Sequence, residues 1–376
     1  MSEWKKTTLG EIADIEMGQS PKGETCNTIG NGIPLLNGPT EFKIKNPKAV
    51  QYTIDSKREC RPLDLLFCVR GSTGRMNWAD KRYSIGRGLA AIRHKSGSEY
   101  RCFLRGIIDY NLKVLLSSAT GSIFSNITKK QLENLEIKLP PLSEQKSIAS
   151  VLSSLDDKID LLHRQNATLE KMAETLFRQW FVEEEKEEWE EGDLGEVIEI
   201  YDNLRIPLSK MERDKKKDGQ LYPYYGAAEI MDYINDYIFD GEYILLGEDG
   251  TVRTNEGYPV LQYATGKFWV NNHAHVIQAI PPYNNFFIWI YLKKKNIDEI
   301  VTGAVQPKIN QANLKSIDFP KYPKRLVIEF IDMTEPLFQK LKSNTTQIRT
   351  LTALRDTLLP KLMSGEVRVE MENTII

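Results

Sequence analysis

The chain contains a long internal repeat, and this constrains its architecture more than any other feature. Thr302-Gly303-Ala304-Val305 stands 182 positions after Thr120-Gly121-Ser122-Ile123. The same offset then runs without a gap: Ile127 meets Ile309, Leu132 meets Leu314, Pro141 meets Pro323, Leu155 meets Leu337, Lys158 meets Lys340 and Gln165 meets Gln347. Thr168-Leu169 meets Thr350-Leu351, and Thr175-Leu176 meets Thr357-Leu358. Earlier segments match at slightly shifted offsets: Leu9-Gly10-Glu11-Ile12 echoes Leu194-Gly195-Glu196-Val197, and the turn Arg70-Gly71-Ser72-Thr73-Gly74 falls where Gly247-Glu248-Asp249-Gly250-Thr251 falls. A period this long describes a duplicated module rather than a solenoid. Each copy begins with a region rich in Gly, Pro, aromatic and β-branched residues, in which short apolar runs read as strands between turns. Each copy ends in one long helical pattern.

The first helical pattern follows the stop Pro140-Pro141, with Ser143 as cap and Glu144 and Gln145 in the first turn. Its apolar stripe is Ile148, Leu152, Leu155, Ile159, Leu162, Asn166, Leu169, Ala173, Leu176 and Trp180. The steps alternate four and three, which is a coiled-coil heptad. Adding the repeat offset predicts the second stripe: Phe330, Thr334, Leu337, Leu341, Asn344, Ile348, Leu351, Arg355, Leu358 and Leu362. Thr334 and Arg355 are weak occupants, and Leu354 could replace Arg355 by a small rotation. Pro336 either kinks this helix or opens a new segment, Pro360 threatens its far end, and Gly365 is a stop. Two such helices can pair antiparallel about a pseudo-two-fold axis, so that partner positions sum to a constant. The stripe midpoints and the pair Asn166 and Asn344 give the same constant, so the two asparagines are expected to face each other and fix the register.

Charge and cysteine usage bound the rest. The net charge of −2 argues weakly against nucleic acid, but a basic face matters more than a basic average. Basic clusters occur at positions 215–217 and 293–295, and Arg70, Arg75, Arg82 and Arg87 crowd one short segment. An acidic run, EEEKEEWEE at 183–191, reads as a linker kept away from phosphates. Cys26, Cys60, Cys68 and Cys102 fit no zinc spacing and read as reduced thiols of a cytoplasmic protein. The N-terminal segment has no apolar run of the signal-peptide kind, and no membrane-spanning stretch is evident.

Four runs carry a family resemblance. Ile137-Lys-Leu-Pro-Pro-Leu-Ser-Glu-Gln-Lys146, Thr357-Leu-Leu-Pro-Lys-Leu-Met-Ser-Gly-Glu366, Ile85-Gly-Arg-Gly-Leu-Ala-Ala-Ile92 and Asn272-His-Ala-His-Val276 resemble characteristic regions of type I restriction–modification specificity subunits. The resemblance covers nearly the whole chain. The second copy departs from it with Tyr322-Pro-Lys-Arg325 in place of Pro-Leu-Ser-Glu. The resemblance implies a mixed α/β (α+β) chain, with two target-recognition domains separated by two long helices forming an antiparallel coiled coil. The expected division is 1–142 for the first recognition domain, 143–182 for the first helix, 183–322 for the second recognition domain, and 323–376 for the second helix and tail.

It further implies that each domain reads half of a bipartite double-stranded DNA target. The helices would dock two methyltransferase subunits, with Lys171, Arg178 and Lys340 as candidate contacts, and a motor-nuclease subunit could join. S-adenosylmethionine, ATP and Mg2+ would belong to those partners; this chain would bind no cofactor or metal and catalyse nothing. The stripe from Ile148 to Trp180 spans about 48 Å as a helix, more than the roughly 34–36 Å of one DNA turn. Helix length would therefore act as a ruler for the gap between half-sites.

Base readout needs Arg, Lys, Asn or Gln at base edges, while other basic and hydroxyl groups hold phosphates. In the first domain the candidates are Arg70, Gly71, Ser72, Thr73, Arg75, Arg82 and Arg87, with the loop Gly18-Gln-Ser-Pro-Lys-Gly23 as a second site. In the second domain they are Arg205, Lys215, Lys216, Arg253, Thr254, Lys267 and Asn271. His273 and His275 alternate and lack an evident third ligand, so they read as structural.

Enzymatic readings fare poorly. Ile280-Pro281-Pro282-Tyr283 resembles an adenine-methyltransferase loop, but Ile280 cannot accept the amine hydrogen bond, and no Gly-rich cofactor turn accompanies it. Gly18 to Gly23 has phosphate-loop spacing, but Glu24-Thr25 follows where Lys-Ser/Thr is needed. The alternative in another class is a coiled-coil protein–protein adaptor, which does not require two diverged heads.

Overall fold

The computed structural model describes residues 4–43, 45–117, 126–183, 189–303 and 305–369. The chain forms two compact units: Met1–His163 with Gln347–Ile376, and Arg164–Thr346. The expected division set the helices apart from the globular domains; in this partition each unit takes half of each long helix together with its own globular body. The repeat element 120–123 and the centre of the acidic run fall outside the described residues.

In the first unit a four-stranded antiparallel sheet runs in the order Ala13–Met17, Leu89–His94, Leu65–Cys68, Met76–Trp78. A five-stranded sheet runs Cys26–Asn27, Gln51–Thr53, Ile33–Leu36, Tyr83–Ile85, Glu59–Cys60, with one parallel pairing, Ile33–Leu36 beside Tyr83–Ile85. The central strands are apolar on both faces because both faces are covered. Ala90, Ile92, Leu65 and Phe67 enter one core with helix Arg101–Tyr110, and the alternate residues Leu89, Ala91, Leu66 and Cys68 enter another. The unit's parts of the two long helices close the first core through Ile148, Leu152, Leu362 and Met363. Arg355 pairs with Asp156 at 3.0 Å, and Glu144 receives the Arg368 guanidinium.

In the second unit one six-stranded sheet runs Ile198–Ile200, Ala274–Ala279, Phe239–Gly247, Leu261–Val270, Tyr222–Tyr225, Ile230–Ile234. Its core joins helix Asn285–Lys293 to the long helices through an aromatic cluster that includes Phe177, Phe181, Phe287, Tyr322 and Phe330.

The long helices span Leu142–Arg178, continued by a π-helical turn Gln179–Glu183, and Lys324–Ser364. No residue of either predicted stripe is exposed. The two weak positions have physical answers. The Thr334 hydroxyl, 1% exposed, donates to Phe330 O at 2.8 Å, and Arg355 stays in the stripe by pairing with Asp156, while Leu354 is exposed. No new segment opens at Pro336, since one helix runs through it, and the helix also continues through Pro360. Pro336 and Asp332, whose carbonyl loses its donor, are both exposed, as are Pro360 and Asp356, so water can satisfy the freed carbonyls. Within the second unit the helices run antiparallel: Asn344 Nδ2 donates to Asn166 Oδ1 at 2.9 Å, and Phe330 packs on Trp180. Asn344 is fully buried, and its Oδ1 has no partner among the described residues.

All four cysteines are free thiols. Burial pushes the Cys60 thiol up to about 12 and the Cys68 thiol up to about 11. Both are therefore expected to resist alkylation at pH 8 until the chain unfolds. Peptide mass mapping checks this, and native modification of Cys60 as fast as Cys26 would refute it.

Candidate nucleic-acid interface

The duplicated sequence builds one corner twice, on three matching backbone hydrogen bonds. In the first unit Gly86 N donates to Leu36 O at 2.8 Å, Val69 N to Gly88 O at 2.9 Å, and Ile127 N to Val69 O at 3.0 Å. In the second, Asn271 N donates to Tyr225 O at 3.1 Å, Glu248 N to His273 O at 2.8 Å, and Ile309 N to Glu248 O at 2.8 Å. The strand pairings agree: Leu36 sits beside Ile85 as Tyr225 sits beside Val270, and Ile92 opposes Ile15 as Ile277 opposes Ile200. Positions 86, 87 and 88 thus correspond to 271, 272 and 273.

The corner is tight. A Cβ on Gly86 would lie 2.7 Å from Asn37 Oδ1, one on Gly88 would lie 2.5 Å from Asn37 O, and one on Gly18 would lie 2.2 Å from Gly86 O. Glycine is therefore required at these approaches. In the second unit the small and large partners change sides: Gly226 stands at the place of Asn37, and Asn271 at that of Gly86.

The predicted residues separate on this frame. Arg70, Gly71 and Ser72 are exposed and Thr73 is half-buried, on the hairpin between Leu65–Cys68 and Met76–Trp78; Gly71 and Gly74 take positive φ of 76° and 93°. Arg70 and Arg87 flank the bonded pair Val69 and Gly88, so the hairpin and the corner adjoin. Arg75 is exposed. Among the described residues the guanidinium groups of Arg70, Arg75 and Arg87 have no hydrogen-bond or ion-pair partner. Arg82 instead hydrogen-bonds Glu59. Beside the corner Asn37 Nδ2 donates to Gln51 Oε1 at 3.0 Å.

In the second unit several candidates are committed elsewhere. Arg205 is turned inward: its Nη1 donates to Glu248 Oε2 at 2.6 Å and to Ala274 O at 2.7 Å, and its side chain is 11% exposed. In this placement it balances the Asp202 and Glu248 carboxylates. Asn271 is 4% exposed and forms the corner, its Oδ1 accepting from His273 N at 2.8 Å. Lys216 pairs with Asp236 at 2.9 Å, and Arg253 is ion-paired to Asp298. The Thr254 hydroxyl accepts from Glu256 N and Tyr258 N within its own turn. Lys215 is exposed, and Lys267 lies 4.3 Å over the Tyr237 ring. Of the docking candidates, Lys171 and Lys340 are exposed and Arg178 pairs with Glu183 at 3.0 Å.

His275 has no evident third ligand near it in the chain, but the fold supplies neighbours. His275, Asp202 and Glu248 present ligand atoms within 4.8 Å of one another. The cation at this cluster is Arg205 itself, with Lys308 Nζ 3.3 Å from Glu248. His275 Nδ1 lies 2.6 Å from Asp202 and its Nε2 lies 2.8 Å from Ile309 O. Both ring nitrogens therefore face oxygen, which leaves neither lone pair directed to a metal. Burial alone would raise the Asp202 carboxyl. The His275 hydrogen bond and charge, the Val276 amide and the Gln311 amide outweigh it and hold Asp202 below the usual carboxylate range. Tyr283 of the Pro-Pro-Tyr run is buried against Phe287 and Phe319, a core position.

The family model described as "Type I restriction modification DNA specificity domain" matches residues 1–171 and 186–323. The chain belongs to this family. It is similar to the type I restriction enzyme MjaIX specificity subunit of Methanocaldococcus jannaschii, with 27% identity over 98% of this chain and 94% of that one. A putative MjaX specificity subunit of the same organism is 36% identical over 45% of this chain and 40% of its own length. The crystal structure of a type I restriction–modification S subunit from M. genitalium shares the fold at a TM-score of 0.59, with 20% identity over 98% of this chain and 97% of that one. No helix among the described residues is long and apolar enough to cross a membrane.

Proposed function

We propose that this chain is the non-catalytic reader of a type I restriction–modification complex. Each unit reads one half of a bipartite duplex target, and the long helices set the unspecified gap and dock two methyltransferase subunits. S-adenosylmethionine, ATP and Mg2+ belong to the partner subunits. The observation that carries this reading is the duplicated corner, built on the same three backbone hydrogen bonds in each unit but with different outward side chains, as two readers of unlike half-sites require. A protein-only adaptor has no use for such a pair, and the family match points to DNA specificity.

The test is co-expression with a partner adenine methyltransferase, followed by mapping of methylated adenines. The expected mark is a two-part motif with a fixed gap. A heptad added to each long helix adds about 10.5 Å, and so about three base pairs of gap at roughly 3.4 Å per pair. A continuous single-part motif would refute two-headed reading.

A further inference from the structure

The two corners carry a difference that the duplicated fold does not require. Arg87 and Asn272 occupy the same place, one residue before the carbonyl that accepts from Val69 N or Glu248 N. Both are exposed, and among the described residues neither side chain has a hydrogen-bond or ion-pair partner. The backbone beneath Arg87 is held by the Gly86 N to Leu36 O, Leu89 N to Gly86 O and Val69 N to Gly88 O hydrogen bonds, and at Gly88 a Cβ would meet the Asn37 carbonyl. Beneath Asn272 it is fixed by the buried Asn271 side chain, which accepts from His273 N. The fold thus sets where both side chains leave the backbone but engages neither polar end, which leaves both free for a ligand.

We propose that Arg87 and Asn272 are the equivalent specificity-determining residues of the two units, Arg87 contacting a guanine and Asn272 an adenine in their respective half-sites. This rests on the DNA-reading function proposed above. The chemistry follows from the side chains: the arginine fork matches guanine O6 and N7, and the asparagine amide matches adenine N6 and N7. The main competing role is holding a phosphate, which Arg87 could do by charge and Asn272 by its amide N–H groups; a phosphate contact weakens binding to all sequences alike, whereas base reading changes the motif at one position.

The experiment maps methylation motifs and duplex binding for the full complex carrying Arg87→Lys, Arg87→Ala or Asn272→Ala. Exposure of both sites predicts unchanged melting temperatures. Base reading predicts that Arg87→Ala relaxes one G·C position in one half of the motif, cutting discrimination there about tenfold. Asn272→Ala should do the same at one A·T position in the other half. Arg87→Lys should also relax its position, because the charge remains but the fork is lost. The assignment is overturned if Arg87→Lys keeps the motif while Arg87→Ala weakens binding to all sequences alike and flattens the salt slope by about 0.9, the signature of one phosphate contact. An unchanged motif in all three variants overturns it too. A wild-type complex that leaves no bipartite mark sinks the underlying reading itself, and this assignment with it.

Discussion

Phe330→Ala is expected to destabilise the second unit by about 3–5 kcal/mol, the usual cost of emptying a large buried ring site. Phe330 is fully buried and meets four rings: Phe181 at 5.2 Å, Phe287 at 5.6 Å, Phe177 at 5.7 Å and Trp180 at 5.8 Å. Three of those rings stand on the first long helix and its π-helical continuation, and Phe287 stands on the helix packed against the sheet. The cavity would therefore open where both long helices meet the body of the unit. Edge-to-face geometry at all four contacts adds about 0.5–1.5 kcal/mol per pair beyond area burial. Thermal and urea melts should show an early transition, shifted on the order of 10 °C for a unit of this size. Phe330→Leu, which refills much of the volume, should cost far less. A loss below about 1 kcal/mol for the alanine variant would mean that the helices are held to this unit by other contacts.

The helical seam was legible in the sequence because it is periodic. Ten positions in each copy obey one heptad rule, so single weak residues such as Thr334 and Arg355 could not hide it. Their solutions, a hydroxyl donated to the preceding turn and an ion pair to Asp156, depend on neighbours that periodicity does not name. The candidate interface was less legible for a related reason. Whether an arginine is free to meet DNA depends on which acids the fold brings to it. Arg82 is claimed by Glu59, Arg253 by Asp298 and Arg205 by Glu248, all distant in sequence. Asn271 drew attention ahead of Asn272 because composition cannot tell a turn-forming amide from an outward one. The signal was nevertheless present: Leu9 and Leu194 share with Arg87 and Asn272 an offset of 185 residues. Carrying that offset through the first half of the repeat would have placed Asn272 opposite Arg87.

Arg205→Met should be as damaging as the loss of the aromatic anchor, by electrostatics rather than volume. The Arg205, Asp202 and Glu248 side chains are 11%, 4% and 14% exposed, so removing the guanidinium leaves two buried carboxylates with less than their share of positive charge. Breaking such a pair from one side costs about 3–5 kcal/mol, although replacing the whole group by apolar residues is often neutral. The first unit supplies that replacement. Met17 opposes Ala90 where Asp202 meets His275, Val69 stands for Glu248, and Ser20 follows Met17 by three residues as Arg205 follows Asp202. The same fold thus exists without charged side chains at these four places, where Val69 and Ala90 are buried, Met17 is half-buried and Ser20 is exposed. The combined variant Asp202→Met, Arg205→Ser, Glu248→Val, His275→Ala is therefore expected to melt closer to wild type than Arg205→Met alone. Four substitutions would then cost less than one, the non-additivity expected of a mutually dependent charge cluster. If the losses instead accumulate with each substitution, the network is an added source of stability in the second unit rather than a substitution of charge for apolar packing.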